Sequence, residues 1–194
     1  MEPSHPDLNV AKRAQAGDES AWLEIVTLTR DRLFALLAHH VGGREEALDL
    51  LQETYLHAVR GLASYRGRGS LEAWMCGIAL RRARGWKRRF LPRRKQEIPL
   101  QEAVANHVLP AAHSPDPETG RRLRLALAGL PERQRSALLL HEWMGYGFAE
   151  VAAALAIGEA TARVHCFRAR ETLRAVLSRP ATFAPRTRVQ EQRP

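Results

Sequence analysis

Two cysteines in 194 residues, Cys76 and Cys166, are too few and too far apart to staple a fold or to make a paired-cysteine metal site. They suit helix packing in a reducing compartment. Long apolar runs are also missing. No stretch approaches the roughly 20 residues that a membrane-spanning helix needs, so no membrane insertion is expected. The opening MEPSHPDLNV lacks a basic start followed by an apolar segment, which excludes a secretory signal there and favours a cytoplasmic protein. The signatures of covalent chemistry are absent too: no glycine loop ending in Lys-Ser or Lys-Thr, and no His-Glu-x-x-His. His39 and His40 are neighbours, and consecutive helical positions do not share a face, so they make no metal pair. Ser70 and Ser136 have no evident base beside them in sequence. The expectation is a non-enzyme with no catalytic residue, no cofactor and no metal.

What the chain does have is positive charge. Its net charge is +9 and its sequence pI near 10.6, which favours a polyanionic partner. A hydrophobic content of 45% is ample for one large or two small cores. The pattern is helical almost throughout: Leu8 to Ala16, a helix capped by Asp18 and running towards His40, another from Arg44 to Leu62, and a fourth from Leu71 to Phe90. In the second helix Ala21, Trp22, Ile25, Val26, Leu28, Leu33, Phe34 and Leu37 carry the apolar pattern. In the third, Leu48, Leu51, Tyr55, Ala58, Val59 and Leu62 are the expected core side, with Asp49, Gln52 and Glu53 together on a polar face. From Arg81 to Lys95 there are nine basic residues and no acidic one, a run that repels itself unless phosphates lie near. Tyr65, Trp74, Trp86 and Phe90 flank it, which suits bases stacking from melted nucleic acid and suits a packed core equally.

Between 96 and 118 the periodicity fails among Pro99, Pro110, Pro115 and Pro117, so this stretch reads as a flexible linker. A second domain begins near Thr119. Pro131 suits the first turn of a helix that ends at Gly145. Next come Phe148, Val151, Ala152 and Leu155, a break at Ala156–Ile157–Gly158, and a second stripe through Ala162, Cys166, Ala169 and Leu173. Two short helices with a tight turn read as a helix-turn-helix. Arg163, Val164, Phe167 and Arg168 lie away from the second stripe, and His165 and Arg170 share that helix. Guanidinium groups can bond guanine edges twice, and Val or Phe can touch a thymine methyl. After Ser178 the prolines and scattered arginines of 179–194 read as a disordered tail.

The segments DLLQETYLHAV, YRGRGSLEAWMCGIA, LPERQRSALLLHEWMGYGFAEVAAAL and RARETLR, in this order, resemble a bacterial RNA polymerase sigma factor of the extracytoplasmic-function group. That group keeps only conserved regions 2 and 4, and the resemblance spans about residues 8 to 178. It implies an all-α protein of two small domains: a four-helix region 2-like domain at 8–95 and a region 4-like helix-turn-helix domain at 119–178. It also implies roles. Asp49, Gln52, Glu53 and Leu56 would dock on the β′ clamp helices of core RNA polymerase. Tyr65, Arg66, Ser70, Trp74, Arg81, Arg84, Lys87 and Arg88 would hold the melted minus-10 element. Arg163, Val164, His165, Phe167, Arg168 and Arg170 would read the minus-35 duplex. The implied partners are core polymerase, including its β flap, promoter DNA, and an anti-sigma factor, in a stress or envelope-signal response. Without the resemblance, a polymerase-independent helix-turn-helix regulator is the competing reading, and it leaves Asp49, Gln52 and Glu53 unexplained. Arg81 stands where many relatives carry asparagine. Gly147 and Gly158 stand at helix N-caps where Ser or Thr is usual. Ala162 and Cys166 are smaller or softer than the usual Val and Leu. Ala156 replaces a usual turn glycine, which strains the turn if the site needs positive φ.

Overall fold

The computed structural model describes residues 7–67, 69–90 and 117–178. The tail at 179–194, the basic residues Arg93, Arg94 and Lys95, and the expected linker except Pro117 and Glu118 lie outside the described residues. Among the described residues every regular element is helical. Helix α1 is Leu8–Gln15, α2 is Glu19–Val41 and α3 is Arg44–Gly61, followed by a 3₁₀ turn at Leu62–Ser64. Helix α4 is Leu71–Phe90, α5 is Pro117–Gly129 and α6 is Glu132–Leu138, which runs on into a π turn at Leu139–Trp143. Helices α7 (Phe148–Leu155) and α8 (Glu159–Leu177) complete the chain.

The boundaries have local causes. Asp18 opens α2 by accepting from the backbone N–H groups of Ser20 and Ala21. Gly42, with φ of 79°, closes it in the left-handed region that a side chain resists, and Gly43 starts α3 at once. Ser70 caps α4 as expected, its Oγ accepting from Ala73 N. Pro131 differs slightly from expectation: it sits at the N-cap with ψ of 139°, one position before the helix. Ala156 is the one non-glycine residue with positive φ among the described residues, at φ 53° and ψ 53°. The missing glycine therefore leaves a strained turn between α7 and α8.

Helices α2, α3 and α4 pack on one another with α1 laid across α2, and Leu33, Leu36 and Leu37 of α2 are sealed from solvent. Truncating any of these leucines to alanine removes roughly 2–5 kcal/mol. Helix α3 buries Ala47, Leu50, Leu51, Thr54 and Ala58. That stripe shares Leu51 and Ala58 with the expected one but is turned by about 70°, so Leu48 and Val59 are exposed, at 38% and 54%. Leu28 on α2, also expected inside, is 68% exposed. In the second half, α6, α7 and α5 pack against α8 through the buried Ala162, Cys166 and Ala169.

The two halves are not separate in space. Helix α4 lies along α7, and one continuous cluster of buried side chains runs from Ala11 to Ala169. The approach is tight at Gly77, where an added Cβ would stand 3.1 Å from the Ala154 carbonyl oxygen. Polar bonds also cross this seam. Arg32 of α2, paired within the first half to Glu72 of α4 at 2.7 Å, donates across it to the Met144 carbonyl at 2.7 Å, and the Tyr146 hydroxyl donates across it to Glu72 at 2.6 Å. Burial and the neighbouring Cys76 and Glu72 push the Tyr146 hydroxyl's pKa far up, so it stays a donor.

Candidate nucleic-acid interface

Helix α8 presents two faces of different character. Ala162, Cys166 and Ala169 face inward, while Val164 is 46% and Phe167 61% exposed, with Arg163, Arg168 and Arg170 also outside. An outward face of apolar and guanidinium groups on the second helix of a helix-turn-helix can enter a major groove. The six side chains are not equally available. Arg163 pairs with Glu159 one turn before it and lies over the Phe148 ring, 4.6 Å from its centroid. Arg170 is held by Glu142, its Nε donating at 2.7 Å. His165 is half-buried, its pKa lowered by desolvation and by the nearby Arg133 and Arg168. Val164, Phe167 and Arg168 form the continuous outward patch.

The loop before α4 and its first turns gather the second set. Of the two readings open for these aromatics, Tyr65 takes the packed one: it is 3% exposed, tilted against Trp74, and donates its hydroxyl to the Gly69 carbonyl at 2.8 Å. Burial pushes its pKa up to about 12, so it remains a neutral donor holding the loop. Arg66 is exposed and reaches back to the Ala63 carbonyl. Trp74 is half-buried between two hollows, one of about 130 Å³ and one of about 220 Å³. Arg81 lines both hollows, so an aromatic face and a guanidinium flank the same recess. Arg88 is exposed farther along α4.

Three members of this set are engaged by the second half of the chain, which spacing did not foretell. The Ser70 backbone N–H donates to Glu150 of α7 at 2.7 Å. Glu132 of α6 sits 3.2 Å from Arg84 Nε and 3.7 Å from Lys87 Nζ. Lys87 has a pKa lowered to about 8 by burial and by the nearby Arg135, against the pull of Glu132. Carboxylates thus occupy donors of a kind that also binds phosphate oxygens. Glu150 also accepts from Gly147 N at the start of its own helix, and its reach to Ser70 is set by the tertiary fold. Behind this contact lie a buried arginine and a buried histidine pair. Buried Arg135, at 7% exposure, donates to the Ala128 carbonyl, and His39 and His40 at the end of α2 are both buried. His40 meets Ser136 Oγ at 3.3 Å, and His39 meets the edge of Trp143.

The third set lies on the far side of α3. Asp49, Gln52, Glu53 and Leu56 are all exposed, and Leu48 and Val59 join them to make an acidic face with apolar residues between the charges. Such a face is suited to a protein partner. Leu23 on α2, 68% exposed, is a further apolar surface residue that the sequence reading did not single out.

The geometry defines a helical DNA-binding protein whose helix-turn-helix half packs on a second half carrying a basic, aromatic recess. The family models agree with both halves: "Sigma-70 region 2" matches residues 25–90 and "Sigma-70, region 4" matches residues 120–173. The ECF RNA polymerase sigma factor SigF of Caulobacter vibrioides is 31% identical over 163 residues, covering 83% of this chain and 88% of that protein. The RNA polymerase sigma-H factor of Pseudomonas aeruginosa is 27% identical over 180 residues, covering 86% and 91%. The fold is shared with the sigma factor RpoE of Bartonella quintana, solved in complex with the anti-sigma factor NepR, with a TM-score of 0.62 at 22% identity, covering 80% of this chain and 96% of that one. The chain belongs to the extracytoplasmic-function group of bacterial RNA polymerase sigma factors.

Proposed function

We propose that this protein binds core RNA polymerase in the bacterial cytoplasm and directs initiation at a particular set of promoters. The observation that carries the reading is the pairing of two outward faces, one on each matched region: the acidic and apolar face of α3, and the Val164–Phe167–Arg168 patch of α8. Asp49, Gln52, Glu53 and Leu56 dock on the polymerase clamp. The α8 patch reads minus-35 duplex, with Arg163, His165 and Arg170 at its margins. Trp74 and Arg81 receive an unstacked minus-10 base in their recess, and the energy of that capture offsets the cost of strand opening. Arg66 and Arg88, with Arg84 and Lys87 once their carboxylates withdraw, bind phosphates.

This reading makes the seam between the halves an off state. Glu150 and Glu132 hold Ser70, Arg84 and Lys87, so promoter engagement requires α7 and α6 to leave α4. An anti-sigma partner fits the same logic, because a protein that stabilises the closed form withholds the minus-10 donors. The division into domains at 8–95 and 119–178 joined by 96–118 describes the units that separate.

The test is transcription in vitro with bacterial core polymerase on a promoter library, with and without this protein. Start sites that appear only with the protein, and disappear with an Asp49→Arg, Glu53→Arg variant that still folds, support the reading. Tight sequence-specific binding to duplex DNA without polymerase, together with no initiation on any template, overturns it in favour of an ordinary regulator.

A further inference from the structure

His141, Glu142 and Cys166 come together in the second half, although Cys166 lies 24 positions beyond Glu142. The cause is the π turn at the end of α6. Met144 N donates to the Leu139 carbonyl, five residues back, which widens the helix there. Consecutive residues on an α-helix diverge by about 100°, and the wider turn narrows that angle. His141 and Glu142 thereby both reach the α8 side chain at Cys166. One ligand-type atom from each lies within 4.8 Å of the others. His141 Nε2 is 3.9 Å and Cys166 Sγ 3.8 Å from the same Glu142 oxygen.

Two further observations set the imidazole up as a ligand. His141 Nδ1 is 2.8 Å from the Tyr146 carbonyl oxygen, which can only accept. The proton therefore sits on Nδ1, which leaves Nε2, 3.9 Å from the Glu142 carboxylate, as the ligand atom. A histidine tied to a backbone carbonyl in this way is the usual support behind a metal-bound imidazole. The ring is also fixed by stacking on Phe148, with centroids 4.0 Å apart.

We propose that His141 Nε2, a Glu142 carboxylate oxygen and Cys166 Sγ bind one zinc-class divalent ion, with an open fourth position for water. Mixed imidazole, carboxylate and thiolate donors are the set that borderline-soft zinc takes. Tetrahedral bonds of zinc length separate nitrogen, oxygen and single-sulfur ligand atoms by roughly 3.3–3.5 Å, so contraction by at most about 1.3 Å closes the site. The thiol gives its proton to solvent as the metal–sulfur bond forms. Arg170 now occupies Glu142 from the same side. Metal and guanidinium compete for that carboxylate, so metal entry sets Arg170 loose on α8. Binding of the ion stands independently of the promoter reading; only the consequence for Arg170 rests on it.

The test uses purified, reduced, metal-free chain without polymerase or DNA, titrated with cobalt(II) as a spectroscopic probe and then with zinc(II). One equivalent of cobalt should give a near-ultraviolet thiolate-to-cobalt band, and zinc should bleach it. Cys166→Ser should lose the band, and Cys76→Ser should keep it. Should Cys166→Ser fail to fold, the half-exposed His141→Gln and Glu142→Gln carry the test, each weakening the site tenfold or more. Arg170→Ala, which removes the competing cation, should bind about tenfold tighter, within the usual range of such couplings. Absence of the band, a band that follows Cys76, or affinity unmoved in both His141→Gln and Glu142→Gln overturns the site.

Discussion

Acid should open this molecule, and the buried histidine pair sets the size of the effect. His39 has its pKa lowered from 6.5 to about 4, first by loss of solvent and then by Arg135. His40 is displaced in the same direction, first by burial and then by Arg135, Lys87, His39 and Arg84. The groups facing the pair are cationic from α4 (Arg84, Lys87) and from α6 (Arg135), and Glu132 is committed to Arg84 and Lys87. His39 touches Trp143 and His40 touches Ser136, both in the second half, so parting the halves returns the rings to water. The closed form therefore binds fewer protons than the open one, and its advantage is intact above the ordinary histidine pKa. That advantage falls as pH drops below 6.5 and is exhausted below about 4. At about pH 5 the two values for His39 alone favour opening by roughly 30-fold, or ~2 kcal/mol, while near pH 7.5 the effect is negligible. His40 adds in the same sense.

Small-angle scattering from about pH 7.5 to about pH 5, with circular dichroism alongside, reads the change. The expected result is a larger radius of gyration in acid with helix content retained, and a transition weakened in His39→Leu and abolished in His39→Leu, His40→Leu. His40→Leu removes the contact with Ser136 Oγ, but that hydroxyl keeps its bond to the Glu132 carbonyl, and His39 Nε2 and His40 Nδ1 have no partner in the closed form. A radius constant across the range, or an unchanged transition in the double variant, refutes the argument.

Gly77→Val should part α4 from α7 at neutral pH, because its Cβ would meet the Ala154 backbone at 3.1 Å and 3.2 Å; scattering should show the enlarged form without acid. Ala156→Gly should stabilise the helix-turn-helix by about 1 kcal/mol by relieving a left-handed alanine, read as a rise of a few degrees in Tm. Phe167→Ala should leave stability within about 0.5 kcal/mol, since the ring is 61% exposed, while weakening promoter-dependent initiation.

Nearly all helix boundaries were legible because the punctuation is local: Asp18, Gly42–Gly43 and Ser70 each act within a few residues of the helix they bound. The inner and outer faces of α8 were legible for a related reason, since small inward residues at 162, 166 and 169 leave one orientation for the rest. Helix α3 was misread at Leu48 and Val59 because that helix is apolar on two faces. Periodicity cannot say which of two leucine-bearing faces meets the core and which meets a partner.

The seam was illegible for a deeper reason. One of its tight contacts is made by residues with almost no side chain, Gly77 against the backbone of Ala154, and such pairs leave no hydrophobic signal. Its polar members, Glu150 and Glu132, read in sequence as ordinary first-turn carboxylates of α7 and α6, favourable there through the helix dipole alone. In the fold they do a second task against α4. Each can leave Ser70, Arg84 or Lys87 while keeping its place in its own helix, so the contact can break without loss of either half. Where sequence shows a helix-start carboxylate and structure shows it spanning two packed units, a reversible contact is the expectation that the acid titration tests.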